Sequence, residues 1–197
     1  MITAIILAAG YSKRFGRNKL LEPIAGKPMI RWTLEATLNS MINEVVVVLG
    51  FEAERVYEVI KDLKCRVIVN LEYDIGMSSS VKCGVRSIMS RSEAVLIIPG
   101  DYPFIEVETI NNVIKKYRET HAPIIIATYN GRRGHPILIG RELFQEVLEI
   151  NEESMGLKAV IRRHENEIVY ADAKGMGAIT DIDSPEDLKK LMKTNLK

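Results

Sequence analysis

Cysteine is nearly absent from this chain. Cys65 and Cys83 are its two thiols, too few and too far apart for a zinc or redox motif, and are expected as buried core residues. Charge of one sign is also missing. The net charge is +1, so no global basic field points to nucleic acid, and any anion site must be local. No apolar run approaches the length of a membrane span, and no basic-then-apolar leader precedes the first strand-like residues. The cytoplasm is the expected location, with neither membrane nor nucleic acid as partner. Aromatic residues make up 6%, with one tryptophan, Trp32, read as a core residue. The three histidines and two cysteines suggest no Ser–His–Asp or Cys–His arrangement. His121 and His164 lie in no motif and are expected at the surface.

What is present is an ordinary globular composition, 47% hydrophobic and 27% charged over 197 residues. It suits one domain spanning 1–197 with a sizeable core. Strand-like and helical runs alternate. Strands are expected at Ile5–Leu7, Val45–Leu49, Arg66–Val69, Ala94–Ile98 and Ile124–Ala127. Helices are expected over Pro28–Leu38, around Val56, Val59, Ile60 and Leu63, over Val81–Met89, and around Ile110, Val113, Ile114 and Tyr117. After Arg133 the pattern loosens into short strand candidates at Pro136–Ile139, Ile168–Tyr170 and Ala178–Thr180, with helices near 141–149, 154–163 and 185–193. This order predicts an α/β fold: a three-layer α/β/α sandwich on a mostly parallel, twisted, Rossmann-like sheet.

The most informative stretch is Ile5-Ile6-Leu7-Ala8-Ala9-Gly10-Tyr11-Ser12-Lys13-Arg14-Phe15-Gly16-Arg17-Asn18-Lys19. An apolar strand opens into a loop with small residues, which leave backbone N–H groups accessible, and with fixed positive charge. That combination suits a polyphosphate. It is neither a P-loop, since Leu20 follows Lys19 where a hydroxyl is needed, nor the Gly-x-Gly-x-x-Gly dinucleotide fingerprint. In an open parallel sheet ligands bind beyond the carboxyl ends of the strands. There the chain also offers Asp74–Ser80 and Asp101.

Read from the residues alone, each of these has a structural alternative. Asp101, in Pro99-Gly100-Asp101-Tyr102-Pro103, reads as a site carboxylate or as a turn aspartate capping a helix near Glu106. Asp183 or Ser184, before Pro185 and Glu186, reads as a helix N-cap; Asp181 and Asp183 also project to one side of an extended segment. The serines of Gly76-Met77-Ser78-Ser79-Ser80 read as caps or as ligands to a bound molecule. Gly84, in a helix, hints at close packing or ligand approach.

Five ordered segments carry a resemblance: Leu7-Ala8-Ala9-Gly10-x-Ser12-x-Arg14-x-Gly16-x-x-Lys19, Gly76–Ser80, Gly100–Pro103, Gly131–Pro136 and Asp181–Leu188. Together they resemble the MobA/MocA-like nucleotidyltransferases of GT-A-like fold, which transfer CMP or GMP to molybdopterin. The double alanine before Gly10 is similar to the cytidylyltransferase branch. Phe15 stands where methionine is usual, and Ser184 where threonine is.

The resemblance implies Mg²⁺-dependent attack of an acceptor phosphate on the α-phosphorus of CTP, releasing pyrophosphate, with molybdopterin as the acceptor. It implies Lys19, Arg14 and Asp101 as catalytic residues. Nucleotide contacts would come from Leu7, Ala8, Ala9, Gly10, Ser12, Arg14, Gly16, Lys19, Gly76, Ser80, Gly100 and Asp101. Mg²⁺ would be held by Asp101 and Asp183, with Asp181 as alternate, and His135 would contact the acceptor. A molybdoenzyme or its chaperone is the implied protein partner. The other readings are a guanylyltransferase, an isoprenoid or sugar-phosphate cytidylyltransferase, and a nucleotide-binding cofactor-delivery or regulatory protein.

Overall fold

Alternate residues of the first strand face different helices, and this divides the molecule into layers. The computed structural model describes residues 1–188. Its strand β1 (Ile2–Ala8) is buried on both faces. Ile2, Ala4 and Ile6 pack with Met29, Ile30 and Leu34 of α1 (Met29–Leu38) and Ile110, Val113 and Ile114 of α4 (Val107–Thr120). Ile5 faces the other way, toward Val81, Val85 and Ile88 of α3 (Met77–Ile88), in a cluster that includes Phe144 and Val147 of α5 (Phe144–Leu148) and Val160 of α6 (Leu157–Arg163). Gly84 is explained by packing, since a Cβ there would lie 2.8 Å from Ile5 Cδ1.

The remaining strands are β2 (Pro23–Ile24), β3 (Lys27–Pro28), β4 (Glu44–Leu49), β5 (Arg66–Val69), β6 (Ala94–Pro99), β7 (Ile124–Tyr129), β8 (Arg132–Gly140) and β9 (Ile168–Asp172). β2 and β3 form a small hairpin. The other seven form one sheet in the order β5-β4-β1-β6-β8-β7-β9. All its pairings are parallel except those of β8, which runs antiparallel to both β6 and β7. With helix α2 (Ala53–Glu58) the expected mostly parallel three-layer sandwich is complete.

The differences from expectation cluster where periodicity is short. The helix after β4 is one short element, α2. Ala178–Thr180 is no strand: Met176–Ile179 is a 3-10 turn, pressed so closely on its neighbours that a Cβ on Gly177 would meet Phe104 O. The segment 141–149 divides into a 3-10 turn and α5. The helix expected from 154 begins at Leu157, because Met155 and Gly156 take φ of 67° and 58°. Residues 185–188 are helical; the remainder of the helix expected to 193 lies outside the described residues. α3 starts at Met77, so the serines occupy its first turn and Gly76 stands at the cap. Pro28 precedes α1 rather than opening it.

Four side chains differ from their expected burial. Cys65 and Cys83 are half-buried, and burial raises both thiols above their usual pKa. Trp32 is half-buried at the rim of the core, its Nε1 donating to Ile24 O at 3.1 Å and Lys27 Nζ lying 3.7 Å from its ring centroid. His121 is exposed as expected, but His164 is half-buried between Glu167 (Nδ1 to Oε1, 2.6 Å) and Glu146 (Nε2 to Oε2, 2.8 Å).

Hydrogen bonds donated by its ring to the Glu167 and Glu146 carboxylates raise the His164 pKa. A raised folded-state value contributes stability that is full below the unfolded pKa, about 6.5 for histidine, and is lost as pH rises through the folded one. His164→Gln is therefore expected to narrow the gap in unfolding free energy between pH 6 and pH 9, by about 1 kcal/mol or less because the pair is partly screened. Urea unfolding at the two pH values checks this; an unchanged gap removes His164 from the pH dependence.

Candidate active site

The loop after β1 is built to leave its backbone open. Ser12 takes φ 53°, and its Oγ accepts from Lys19 N–H at 3.2 Å, closing the loop on itself. Gly16 takes φ 74°, which side-chain-bearing residues rarely adopt. A Cβ at exposed Gly10 would meet nothing within 4 Å, so the chain's own packing does not account for this glycine. Leu7 O accepts from Gly100 N–H at 2.8 Å and Ala9 O from Phe51 N–H at 3.1 Å. The Leu7–Gly10 backbone is thus fastened to the ends of two neighbouring strands.

Asp101 arrives from the end of β6. Thr33 Oγ1 donates to Gly100 O at 3.0 Å and holds this turn. Asp101 caps no helix: the N-cap of α4 is Glu106. The Asp181–Asp183 segment is fixed by Ile182, which is fully buried and donates its N–H to Asp101 O at 3.1 Å. With Ile182 turned into the core, the aspartates on either side face outward together. Ser184 Oγ accepts from Asp187 N–H at 3.2 Å, as an N-cap would, so the capping reading falls to Ser184 and leaves the Asp183 carboxylate outside the cap.

Five of the expected residues converge here. Lys19 Nζ lies 2.6 Å from Asp101 Oδ2 and 2.9 Å from Asp183 Oδ1, while Arg14 reaches Asp183 Oδ2 at 2.7 Å. Asp101, Asp181 and Asp183 each bring an oxygen within 4.8 Å of the others. Three carboxylates thus face two cations, and the cluster carries one excess negative charge. Burial disfavours the Lys19 charge, but the two carboxylates outweigh it and raise its pKa. Burial also works against the Asp183 carboxylate, yet Lys19 and Arg14 hold its pKa below the usual range. No cation pairs with Asp181 among the described residues. Burial and the charges of Asp183 and Asp101 push its pKa up.

A divalent cation fits this arrangement. Asp101 Oδ1 is buried without a hydrogen-bond partner, an arrangement that costs free energy unless a ligand satisfies it. Hard carboxylate oxygens are the donor type that Mg²⁺ and Mn²⁺ take.

The other expected residues lie around this centre. Tyr11 packs against Phe51 and Tyr73, with ring centroids 5.0 and 5.2 Å apart, joining the first loop to the segment that leads into Gly76–Ser80. Ser80 is nearly buried in the first turn of α3. His135 stacks edge-on against Tyr102 at 4.9 Å, with Nδ1 3.4 Å from Ile97 O. Burial lowers its pKa to about 4. The ring therefore lacks the charge near neutrality that makes it a candidate from sequence.

Sequence reasoning passes over Asn70, which is 4% exposed and contacts two of the serines. The signal that marks it is a polar residue directly after the apolar run of β5, at a carboxyl end where ligands are expected.

A phosphate-suited loop at the end of a central parallel strand, opposed by an aspartate cluster, defines a protein of the nucleotidyltransferase class. Residues 4–168 match the MobA-like NTP transferase domain, and the chain belongs to that family. It is 35% identical over 160 residues to the bifunctional protein GlmU of Pelobacter propionicus, covering 77% of this chain and 34% of that protein. The chain thus spans about a third of that relative's length. It is 28% identical over 199 residues to nicotine blue oxidoreductase of Paenarthrobacter nicotinovorans, covering 97% and 96% of the two chains. Among solved structures, the homologue of Mycobacterium tuberculosis Rv0371c from Mycobacterium sp. strain JC1 superposes with a TM-score of 0.83 at 26% identity, covering 98% and 96%. Rv0371c itself, solved in complex with manganese, gives 0.77 at 20% identity, covering 98% of each chain.

Proposed function

We propose that residues 1–197 act as one nucleotidyltransferase domain. It uses a divalent cation, Mg²⁺ in the cell, and transfers CMP from CTP to a phosphorylated small-molecule acceptor of the molybdopterin type, releasing pyrophosphate. The observation that carries this reading is Lys19, held between Asp101 and Asp183 at the mouth of the first loop beside a buried, unpartnered Asp101 oxygen. Nucleotidyl transfer asks a protein mainly for positioning and charge neutralisation, and the cluster is composed for that.

In this reading the Leu7–Gly10 backbone and Ser80 receive the nucleoside, with Gly76 and Gly100 shaping its walls. Gly10, Ser12 and Gly16 form the phosphate loop, and Arg14 and Lys19 neutralise the triphosphate. Asp101 and Asp183 would hold the cation. Asp181 serves as well, because both Asp183 oxygens are already paired with cations and those of Asp181 are not. The bound cation supplies Lewis-acid charge neutralisation at the phosphates. His135 contacts the acceptor, and a molybdoenzyme or its chaperone receives the product. The double alanine Ala8-Ala9 is the support for CTP over GTP.

Thermal unfolding with CTP, GTP, ATP and UTP, each with and without Mg²⁺ or Mn²⁺, tests the reading. At a hundred times Kd a ligand stabilises by about 2.7 kcal/mol, which for a chain of this size raises Tm by roughly 5–10 °C. We expect that shift with CTP and a divalent cation together. A shift with GTP alone moves the assignment to guanylyl transfer, and no shift with any nucleotide overturns it. The full-length likeness to a protein named an oxidoreductase favours one second reading, a redox enzyme on this fold. Pyrophosphate released from CTP on adding acceptor separates the two.

A further inference from the structure

The serines at the start of α3 look equivalent in sequence, yet the structure gives each a different hydrogen-bonding state. Ser78 Oγ is buried with no partner. Ser79 Oγ accepts from Asn70 Nδ2 at 2.8 Å and has two backbone acceptors for its one proton, Glu72 O at 2.7 Å and Gly76 O at 2.8 Å, so it is satisfied inward. Ser80 Oγ accepts from the same Asn70 Nδ2 at 3.0 Å. No acceptor for the Ser80 hydroxyl proton lies within reach among the described residues.

The orientation of the Asn70 amide is not arbitrary. Its Oδ1 accepts from Glu72 N–H at 3.1 Å. A backbone N–H only donates, so the oxygen must face Glu72 and the NH₂ must face the serines. Asn70 is itself 4% exposed at the end of β5, with its N–H donating to Leu49 O at 2.8 Å, so the amide cannot turn away without losing both bonds. A hydroxyl that receives a hydrogen bond from one side presents its own proton to the other.

We infer that Asn70 is a positioning residue that fixes Ser80 as a hydrogen-bond donor and so sets which ligand atom the site accepts. The ligand atom opposite Ser80 must be an acceptor, a carbonyl oxygen or an unprotonated ring nitrogen. Cytosine offers both, at O2 and N3; the corresponding edge of guanine presents the N1 proton and the 2-amino group. The inference rests on the proposal above that Ser80 faces the nucleotide. It adds what that proposal lacks, a physical reason in this chain for a cytosine preference that does not depend on Ala9.

The test is a double-mutant cycle read as CTP affinity by calorimetry, with GTP as comparison and Mg²⁺ present. Asn70→Asp keeps the shape but turns the donor into an acceptor, so the Ser80 proton is drawn inward. Ser80→Ala removes the hydroxyl. Each single change is expected to weaken CTP binding about tenfold, the worth of one well-placed hydrogen bond. The double variant should be no weaker than about tenfold, because both changes abolish the same contact, whereas independent effects would multiply to about a hundredfold. GTP affinity should change less than threefold throughout. Ser79→Ala, which removes only an inward-facing hydroxyl, should leave CTP affinity within twofold.

A structural role for Asn70 predicts equal losses for CTP and GTP and multiplication in the double variant, and that outcome overturns the inference. So does unchanged CTP affinity in Asn70→Asp when Ser80→Ala is weakened, while the nucleotide reading stands. Wild-type protein that binds no nucleotide overturns both. If Asn70→Asp does not fold, Asn70→Ala takes its place in the cycle.

Discussion

Lys19→Ala is expected to lower pyrophosphate release about 10²–10³-fold, the usual loss when one preorganised donor to developing negative charge is removed. The reason lies in where Lys19 is held. Its ammonium is mostly shielded from water and ion-paired with Asp101 and Asp183, so its charge is in place before substrate arrives and needs no reorganisation. Removing it also leaves two carboxylates facing each other and Asp181 with only Arg14 nearby. The variant should therefore melt lower than wild type in chelator and recover more of that loss when Mn²⁺ is added. Lys19→Arg should not restore turnover, because a planar fork does not fit a site framed for a compact ammonium. Stopped assays of pyrophosphate and paired melts with and without metal check these points. Wild-type turnover in Lys19→Ala would falsify its place in the mechanism.

Asp101→Asn should cost turnover on the order of 10³-fold, since a metal's charge stabilisation is worth several kcal/mol and each 1.36 kcal/mol is tenfold. The amide keeps the size of the carboxylate but removes the anionic oxygen that is buried without a partner. Its effect on folding should be small in chelator. The variant gives up the pair with Lys19 and is relieved of repulsion from Asp181 and Asp183, and these oppose one another. The diagnostic result is therefore a melting temperature near wild type without metal and a much weaker rise on titrating Mg²⁺ or Mn²⁺. If Asp101 were only structural, the two melting curves would fall together, with and without metal.

Much of this arrangement is legible in the order of the amino acids. Continuous apolar runs such as Val45–Leu49 and Ala94–Ile98 appear as strands of the expected kind, because a strand buried on both faces tolerates nothing else. The rule that ligands bind beyond the carboxyl ends of parallel strands then points to the first loop, Gly76–Ser80 and Asp101. The alternation at Asp181-Ile182-Asp183 correctly sets two carboxylates on one side, with Ile182 in the core. What escapes is short or decided by neighbours. Ala178–Thr180 has the residues of a strand, but its close contacts with Phe104 and β8 hold Met176–Ile179 as a turn. His164 carries no motif, and the carboxylates that raise its pKa come from helix α5 and the turn after α6.

By itself the sequence determined the layered α/β class, the small and basic residues of the loop from Gly10 to Lys19 and the alternation that sets Asp181 and Asp183 on one side. These follow from local periodicity and from the chemistry of side chains. Only the tertiary structure decided that Lys19 bridges two carboxylates more than eighty residues away in sequence, that burial works against a charge on His135, and that the three serines of α3 differ. Those outcomes depend on which groups meet across the fold and on how much water remains between them. Neither is encoded at any one position in the chain.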